Sequence, residues 1–183
     1  MRDCNGNKRL QMVHKIIDTN VPLTAAGRNP QATDACVLSC GEIISRILKG
    51  ETVIVVDADD DAISEYRNNM YPDPKGTPAG QFLMYLLINR NHSHRVKRLS
   101  LVTDENGRFE DYPDNEDKWT TNDVRCKRFD SDDKKWVALA LRFKSEMGTD
   151  APIVNAADRC WIAFEAQLES VGVVLEILCR DER

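Results

Sequence analysis

Two kinds of apolar pattern alternate along the chain. Short, unbroken runs of branched residues, such as 52–56, are typical of strands that are buried on both faces of a parallel sheet. Longer segments with apolar residues three and four positions apart, such as 30–48, are typical of helices that bury one face. The pattern predicts strands at about 12–17, 52–56, 96–102, 152–154 and 173–178, and helices at about 30–48, 60–69, 79–90, from Asp133 onward, and 159–170.

This alternation of strands and helices predicts the fold class. Strand–helix repeats favour an α/β fold in which a mostly parallel central sheet lies between two layers of helices. The chain has no internal repeat and no linker long enough to separate two domains. We expect one three-layer α/β/α domain over 12–179, a flexible N-terminal segment over 1–11, and a long, exposed, acidic loop at about 103–120.

Composition and charge restrict the classes of function. The 183 residues carry a formal net charge of −5, so the protein is not a generally basic coat for nucleic acid. No apolar run approaches the roughly 20 residues that a membrane helix needs. The polar N-terminus lacks the apolar stretch of a secretory signal. These features predict a cytoplasmic protein without a membrane partner.

One basic cluster interrupts this acidic chain. It consists of Arg90, Arg95, Lys97 and Arg98 and follows a predicted helix. The cluster is either an ordinary solvated loop or a surface that contacts the phosphates of a nucleic acid. The sequence leaves both interpretations open.

The six cysteines are predicted to be reduced thiols of the core. They form no CxxC pair, and Cys36 and Cys40 lie four residues apart on a predicted helix whose face also carries Ile44. Free cysteine behaves as a small apolar residue. Because none of the three histidines lies at a zinc-site spacing from the cysteines, a zinc site is not expected.

Four carboxylates lie at the edges of predicted elements. Asp18 ends the first apolar strand, and Asp158 follows the strand at 152–154. Glu65 lies on the helix after the second strand, and Asp133 begins a helix. In an open α/β sheet, the ends of strands and the starts of helices share the edge at which ligands bind. Four acids that converge there would repel one another without a cation, so the pattern predicts a site for hard divalent metal ions.

A second acidic run, which begins at Asp57, permits other interpretations. Asp57 and Asp59 follow a strand as in haloacid-dehalogenase-type phosphatases, but Asp61 occupies the place where that class needs a small or hydroxyl residue. The same run imitates a calcium-binding EF-hand loop, although Ala62 replaces the required glycine and Asn68 replaces the final glutamate. The simplest interpretation is negative charge at the start of a helix, which the helix dipole favours.

The segments around the four carboxylates resemble the motifs of a known nuclease family. An apolar strand followed by an Asp and a small hydroxyl or amide residue, as in 16–20, is similar to the first motif of PIN-domain nucleases. The helical Glu in 63–67, the Asp before an alanine-containing helix in 129–140, and the Asp after a short strand in 152–158 resemble the other three motifs. The fourth motif often has a second acid two positions after its Asp, where this chain has Cys160.

The resemblance implies a PIN-like fold and a metal-dependent phosphodiester hydrolase, most simply an endoribonuclease that uses Mg²⁺ or Mn²⁺. Asp18 would contact the metal most directly. The other three carboxylates would hold the same ion or a second one, while Asn20 and Asn155 would orient a carboxylate or a water. The expected partner is an RNA substrate, with DNA, a homodimer contact, and a protein partner or inhibitor left open. The departure at Cys160 suggests the alternative of a degenerate module that binds RNA or a protein without cutting.

Overall fold

A five-stranded sheet forms the centre of the computed structural model, which describes residues 12–71, 75–115 and 119–180. The strands are β1 (Val13–Ile17), β2 (Thr52–Asp57), β3 (Val96–Leu99), β4 (Ile153–Asn155) and β5 (Leu175–Ile177). They lie in the order β3-β2-β1-β4-β5, and every neighbouring pair is parallel. Helices flank the sheet, which confirms the predicted three-layer α/β fold. The segment at 1–11, which was predicted to be flexible, lies outside the described residues.

Seven helices in the described ranges connect and cover the strands. They are α1 (Asn20–Ala25), α2 (Asp34–Leu48), α3 (Asp61–Met70), α4 (Pro78–Asn89), α5 (Lys134–Met147), α6 (Arg159–Ala163) and α7 (Glu165–Ser170). The short helix α1 was not predicted, and the predicted helix at 159–170 is interrupted at Phe164. None of the helices in these ranges has the length and apolar character needed to cross a membrane.

Burial ties the third helix to the end of the first strand. All six residues of β2 and the last three of β1 are buried, as expected of strands that are covered on both faces. The Tyr66 hydroxyl on α3 donates a hydrogen bond to the carbonyl of Ile17, and the Tyr66 ring lies 5.6 Å from the ring of Trp136 on α5. Tyr66 therefore holds α3 against the carboxyl end of β1, and Glu65 precedes it on the same helix.

The long segment between β3 and α5 has no helix or strand among its described residues. It contains an antiparallel bridge between Thr103 and Phe109. Tyr112 is buried, and its ring lies 6.2 Å from the ring of Trp119. Aromatic packing therefore anchors this segment to the domain, although most of 103–115 is exposed.

Two disulfides replace the reduced thiols that the sequence predicts. Cys36 is bonded to Cys179, and Cys126 is bonded to Cys160, while Cys40 is buried. The prediction is wrong because the bonded partners are 143 and 34 residues apart, and only the folded chain brings them together. Disulfides are rare in cytosolic proteins, so these bonds give no support to the predicted cytoplasmic location.

Candidate metal centre

The strand order creates a crevice between β1 and β4. From β1 the sheet extends in one direction through β2 and β3, and in the opposite direction through β4 and β5. Open α/β sheets bind ligands at such a reversal, outside the carboxyl ends of the strands. Asp18 directly follows β1 and Asn155 ends β4, and the Asp18 N–H donates to the Val154 carbonyl at 2.9 Å. Both side chains therefore lie at the place where this fold class binds ligands.

Asp18 is a buried carboxyl group, with 6% of the residue exposed. Its Oδ1 accepts a hydrogen bond of 2.8 Å from the backbone N–H of Asn20. Burial raises the pKa of Asp18 to about 7, against the opposing effect of the Asn20 hydrogen bond. The negative charges of Asp158 and Glu65 contribute to the rise. A carboxylate in these surroundings is stabilised in its ionised form when a cation lies nearby.

Asp133, the N-cap residue of α5, is a second acid with a raised pKa. Its side chain makes no capping hydrogen bond to that helix. Burial raises the pKa of Asp133 to about 8, and the charges of Asp18 and Asp158 add to the shift. Asp130 and Glu65 contribute in the same direction. The four acids singled out in the sequence therefore act on one another electrostatically, because the fold brings them to one site.

Glu65 is engaged by a hydroxyl group and an ammonium group. The Thr19 hydroxyl donates to Oε1 of Glu65, and Nζ of Lys135 forms an ion pair with Oε2. Lys135 is the site residue that the sequence analysis does not find. Its only signal is its position two residues after Asp133, in the first turn of α5, where an ordinary surface lysine would look the same.

The predicted supporting residues connect the carboxyl ends of β1 and β4. Asn20 Oδ1 accepts from the N–H of Ala156 at 2.8 Å, and Asn155 Oδ1 accepts from the N–H of Asp158 at 2.8 Å. Asp158 in turn caps α6, where its Oδ1 accepts from the N–H of Cys160 at 2.7 Å. These hydrogen bonds fix the backbone that carries Asp158 beside the end of β1.

The Asn155 amide gives a reason to test the site for a cation. Asn155 is fully buried, and its Nδ2 atom makes no well-aligned hydrogen bond within the described part of the chain. The Asn155 side chain nevertheless lowers the pKa of Asp18, so the amide lies near the Asp18 carboxyl group although the geometry of a good hydrogen bond is not met. A hydrated cation beside Asp18 would supply an oxygen partner for Nδ2, as outer groups do around metal sites. The all-oxygen donor set suits Mg²⁺ or Mn²⁺.

Distances limit how many of the acids one ion can touch. Among the described residues, no three of the acids bring their oxygens within 4.8 Å of one another. One ion would therefore contact one or two carboxylates directly and the others through water, as Mg²⁺ commonly does. The group that does meet this distance consists of the sulfurs of Cys36, Cys40 and Cys179, two of which are bonded to each other in a disulfide.

Asp57 is as deeply buried as Asp18 but has different surroundings. Its Oδ1 accepts from the N–H of Ala62 at 2.7 Å, and its Oδ2 accepts from the N–H of Asp61 at 2.8 Å. Both oxygens thus satisfy N–H groups at the start of α3 that would otherwise lack partners. This geometry favours the helix-terminus interpretation of the second acidic run over a phosphatase nucleophile.

The predicted basic cluster does not form a single surface. Arg90 and Arg98 both form ion pairs with Asp60, at 3.6 and 2.8 Å. Arg95 lies at the opposite end of β2, where its guanidinium packs against the turn before the strand. Lys97 and Arg98 are neighbours in β3, so their side chains point to opposite faces of the sheet. The cluster is therefore divided between two ends and two faces of the sheet.

Two other cations line a cavity beside the one that contains Glu65. Lys127 and Arg128 are exposed and take part in no ion pair within the described ranges. They line a cavity of about 640 Å³ that also has aromatic walls. Ser131 lines both this cavity and a neighbouring one of about 490 Å³ that contains Glu65. A basic surface therefore adjoins the acidic site at the loop before α5.

Comparisons with known proteins identify no relative of this chain. The chain matches no protein-family model, and searches of curated proteins and of solved structures found no match. The resemblance to PIN-domain nucleases therefore depends on the four motifs, and the function of the site is a matter for proposal and experiment.

Proposed function

We propose that this protein is a divalent-metal-dependent phosphodiester hydrolase, most simply a PIN-like endoribonuclease. The observation that carries the proposal is the convergence of acids at the carboxyl ends of β1 and β4, where burial and neighbouring carboxylates raise the pKa of Asp18 and Asp133. Clustered acids of this kind are typical of sites that bind cations or perform catalysis, because their mutual repulsion does not stabilise a fold. The cluster also lies at the crevice where open α/β sheets bind ligands.

The position of each acid suggests its role. Asp18, the most deeply buried of the four, would bind the cation most directly, with Asp133 and Asp158 holding it from the facing elements. Glu65 would hold Thr19 and Lys135 at the site, since its two oxygens already bind these residues. A bound Mg²⁺ or Mn²⁺ would supply an activated water and neutralise charge on the phosphate oxygens. The site therefore needs no nucleophilic side chain.

The substrate is proposed to be RNA because of the family resemblance. A polyanion that approaches four carboxylates needs a positive surface nearby, and phosphate contacts with lysine and arginine supply sequence-independent affinity. Lys127 and Arg128 provide such a surface next to the acidic site. Asn20 and Asn155 would keep the ends of the two central strands together while the substrate is bound.

A second candidate function is a module that binds RNA without cutting it. The ion pair between Lys135 and Glu65 favours this candidate, because it compensates one acid with a cation of the protein itself. Cys160 points the same way, since its sulfur is bonded to Cys126 and offers no metal ligand. Such a module would bind RNA equally well with Mn²⁺ and with EDTA.

Cleavage of a labelled single-stranded RNA distinguishes the two candidates. We expect the wild-type protein to cut the RNA with Mn²⁺ or Mg²⁺ and to leave it intact with EDTA. Asp18→Asn should leave it intact under both conditions. Uncut RNA that remains bound in Mn²⁺ would favour the binding module, whereas cleavage by Asp18→Asn at the wild-type rate would contradict the proposed site.

A further inference from the structure

Lys135 places a positive charge at the edge of the acidic site. Its Nζ contacts Oε2 of Glu65, and only 17% of the Lys135 side chain and 23% of the Glu65 side chain are exposed. Within the described part of the chain, this is the only ion pair between a lysine or arginine and one of the four acids. The ammonium group therefore already compensates part of the negative charge of the site.

Neighbouring contacts hold this ammonium group at the edge of the cluster. Nζ of Lys135 lies 5.1 Å from the centre of the Trp136 ring, and the side chain lines the cavity that contains Glu65. The preceding residue, Lys134, extends elsewhere, with its Nζ 5.2 Å from the centre of the Tyr112 ring. Two adjacent lysines thus have different environments, and only one of them contacts an acid of the site.

We propose that the Lys135 ammonium fills the position of a second metal ion, so that the chain binds one divalent cation and uses Lys135 as the second positive charge at the scissile phosphate. The inference rests on the proposed function. The ammonium would repel a divalent ion placed beside Glu65. The other three acids have no lysine or arginine partner among the described residues, and together they hold the single ion.

The chemistry of the ammonium group suits this role. It has three N–H donors and no acceptor. One donor is used by Glu65, and the others are available to the cavity of about 490 Å³ that Ser131 and Asn68 also line. A phosphate oxygen in that cavity would accept a charge-assisted hydrogen bond from Lys135. The lysine would then neutralise charge that a second ion neutralises in two-metal sites.

Counting the Mn²⁺ ions bound to the full chain, by calorimetry and by electron paramagnetic resonance of the free ion, tests this inference. We expect one ion in the wild-type protein and two in Lys135→Gln, because Glu65 then loses its ammonium partner. Lys134→Gln is the matched control, since it removes the same charge one residue away, and it should bind one ion. Lys135→Arg, which keeps the charge, should also bind one.

The dependence of cleavage on Mn²⁺ provides a second measurement. At low concentrations, the rate should rise with the first power of the Mn²⁺ concentration in the wild type and with the second power in Lys135→Gln. Two ions in the wild type, or one ion in a folded Lys135→Gln protein, would overturn the inference and leave the proposed function intact. No bound ion in the wild type would overturn the proposed function itself, and the inference with it.

Glu65→Gln keeps the inference testable if Lys135→Gln does not fold. This variant should retain one ion at nearly the wild-type affinity, because Glu65 pairs with the lysine and not with the metal. A loss of affinity of about 10-fold or more, which is usual for groups that support a metal site, would show that Glu65 holds the ion and would overturn the inference.

Discussion

Asp18 and Asp57 occupy equivalent places at the ends of neighbouring strands and yet differ in chemistry. Both follow or end a buried parallel strand, and their exposed fractions are 6% and 4%. The two oxygens of Asp57 accept N–H groups from the first turn of a helix. Asp18 accepts a hydrogen bond from only one backbone N–H. Burial, together with the charges of neighbouring carboxylates, raises its pKa to about 7. Burial of an acid alone therefore does not indicate a binding site. Burial of an acid that lacks hydrogen-bond donors for its oxygens does.

Replacing each aspartate with asparagine should separate catalysis from stability. A metal-binding carboxylate contributes several kcal/mol to transition-state stabilisation, so Asp18→Asn should lower the cleavage rate by about a thousandfold or more. Asp57→Asn weakens two buried hydrogen bonds and should lower the free energy of unfolding by about 1–2 kcal/mol, with little effect on cleavage. Cleavage rates in Mn²⁺ and urea unfolding curves without metal measure the two effects.

Two outcomes would break this comparison. One is a loss of cleavage in a folded Asp57→Asn protein that equals the loss in Asp18→Asn. The other is hydrolysis of a phosphate monoester that Asp57→Asn abolishes, which would make Asp57 a phosphatase nucleophile and not a helix cap.

The dependence of stability on pH should test the crowding of acids at Asp18 and Asp133. The folded-state pKa values of Asp18 and Asp133 lie at about 7 and 8, above the ordinary value of 3.8. Between about pH 4 and pH 8 the folded protein therefore binds protons that the unfolded chain releases, and the free energy of unfolding should fall as pH rises. At about 1.4 kcal/mol per pKa unit, the two groups together predict a decrease on the order of 6 kcal/mol between pH 5 and pH 8 in EDTA.

Urea unfolding at pH 5 and pH 8 in EDTA measures this decrease. Asp18→Asn should reduce it. Mn²⁺ binds the ionised acids of the folded state, so it should raise the melting temperature more at pH 8 than at pH 5. A free energy of unfolding that is equal at both pH values in the wild-type protein would contradict the crowding of acids at Asp18 and Asp133.

The sequence predicts where the acids lie better than what surrounds them. Unbroken apolar runs indicate buried strands, so the place of Asp18 at a strand end could be predicted. The contrast with Asp57 could not, because it depends on which backbone N–H groups turn toward each carboxylate. The contact of Lys135 with Glu65 joins residues 70 positions apart, and no local pattern indicates it.

The structural features that the sequence did not predict were missed for specific physical reasons. The short helix α1 contains Pro22, which normally argues against a helix but is tolerated in a first turn, where its missing N–H is not needed. The two disulfides join distant cysteines, and the spacing of cysteines in the sequence carries no information on such contacts. The predicted basic cluster was defined by sequence proximity, and β3 divides two of its members between its faces, while its role in binding phosphates stays a prediction.

The cations near the end of β2 and those before α5 differ in the same way as the acids. Near the end of β2, Asp60 pairs with both Arg90 and Arg98, so both side chains are already engaged and part of their charge is compensated. On the α5 side, Lys127 and Arg128 are exposed and have no ion-pair partner in the described ranges. Contacts with substrate phosphates should therefore come mainly from the second pair.

Replacing Lys127 and Arg128 with Gln should weaken RNA binding and lower the slope of log affinity against log salt concentration by about two, roughly one for each lost phosphate contact. The same change at Arg90 and Arg98 should leave the slope nearly unchanged, because ion pairs within the protein already occupy these side chains.

Affinities should be measured at two salt concentrations in EDTA, so that binding is observed without cleavage. A further variant should carry Gln at all four residues of the predicted basic cluster. A larger change of slope in that variant than in the Lys127 and Arg128 variant would assign the phosphate contacts to the predicted basic cluster, which is one of the two interpretations that the sequence leaves open.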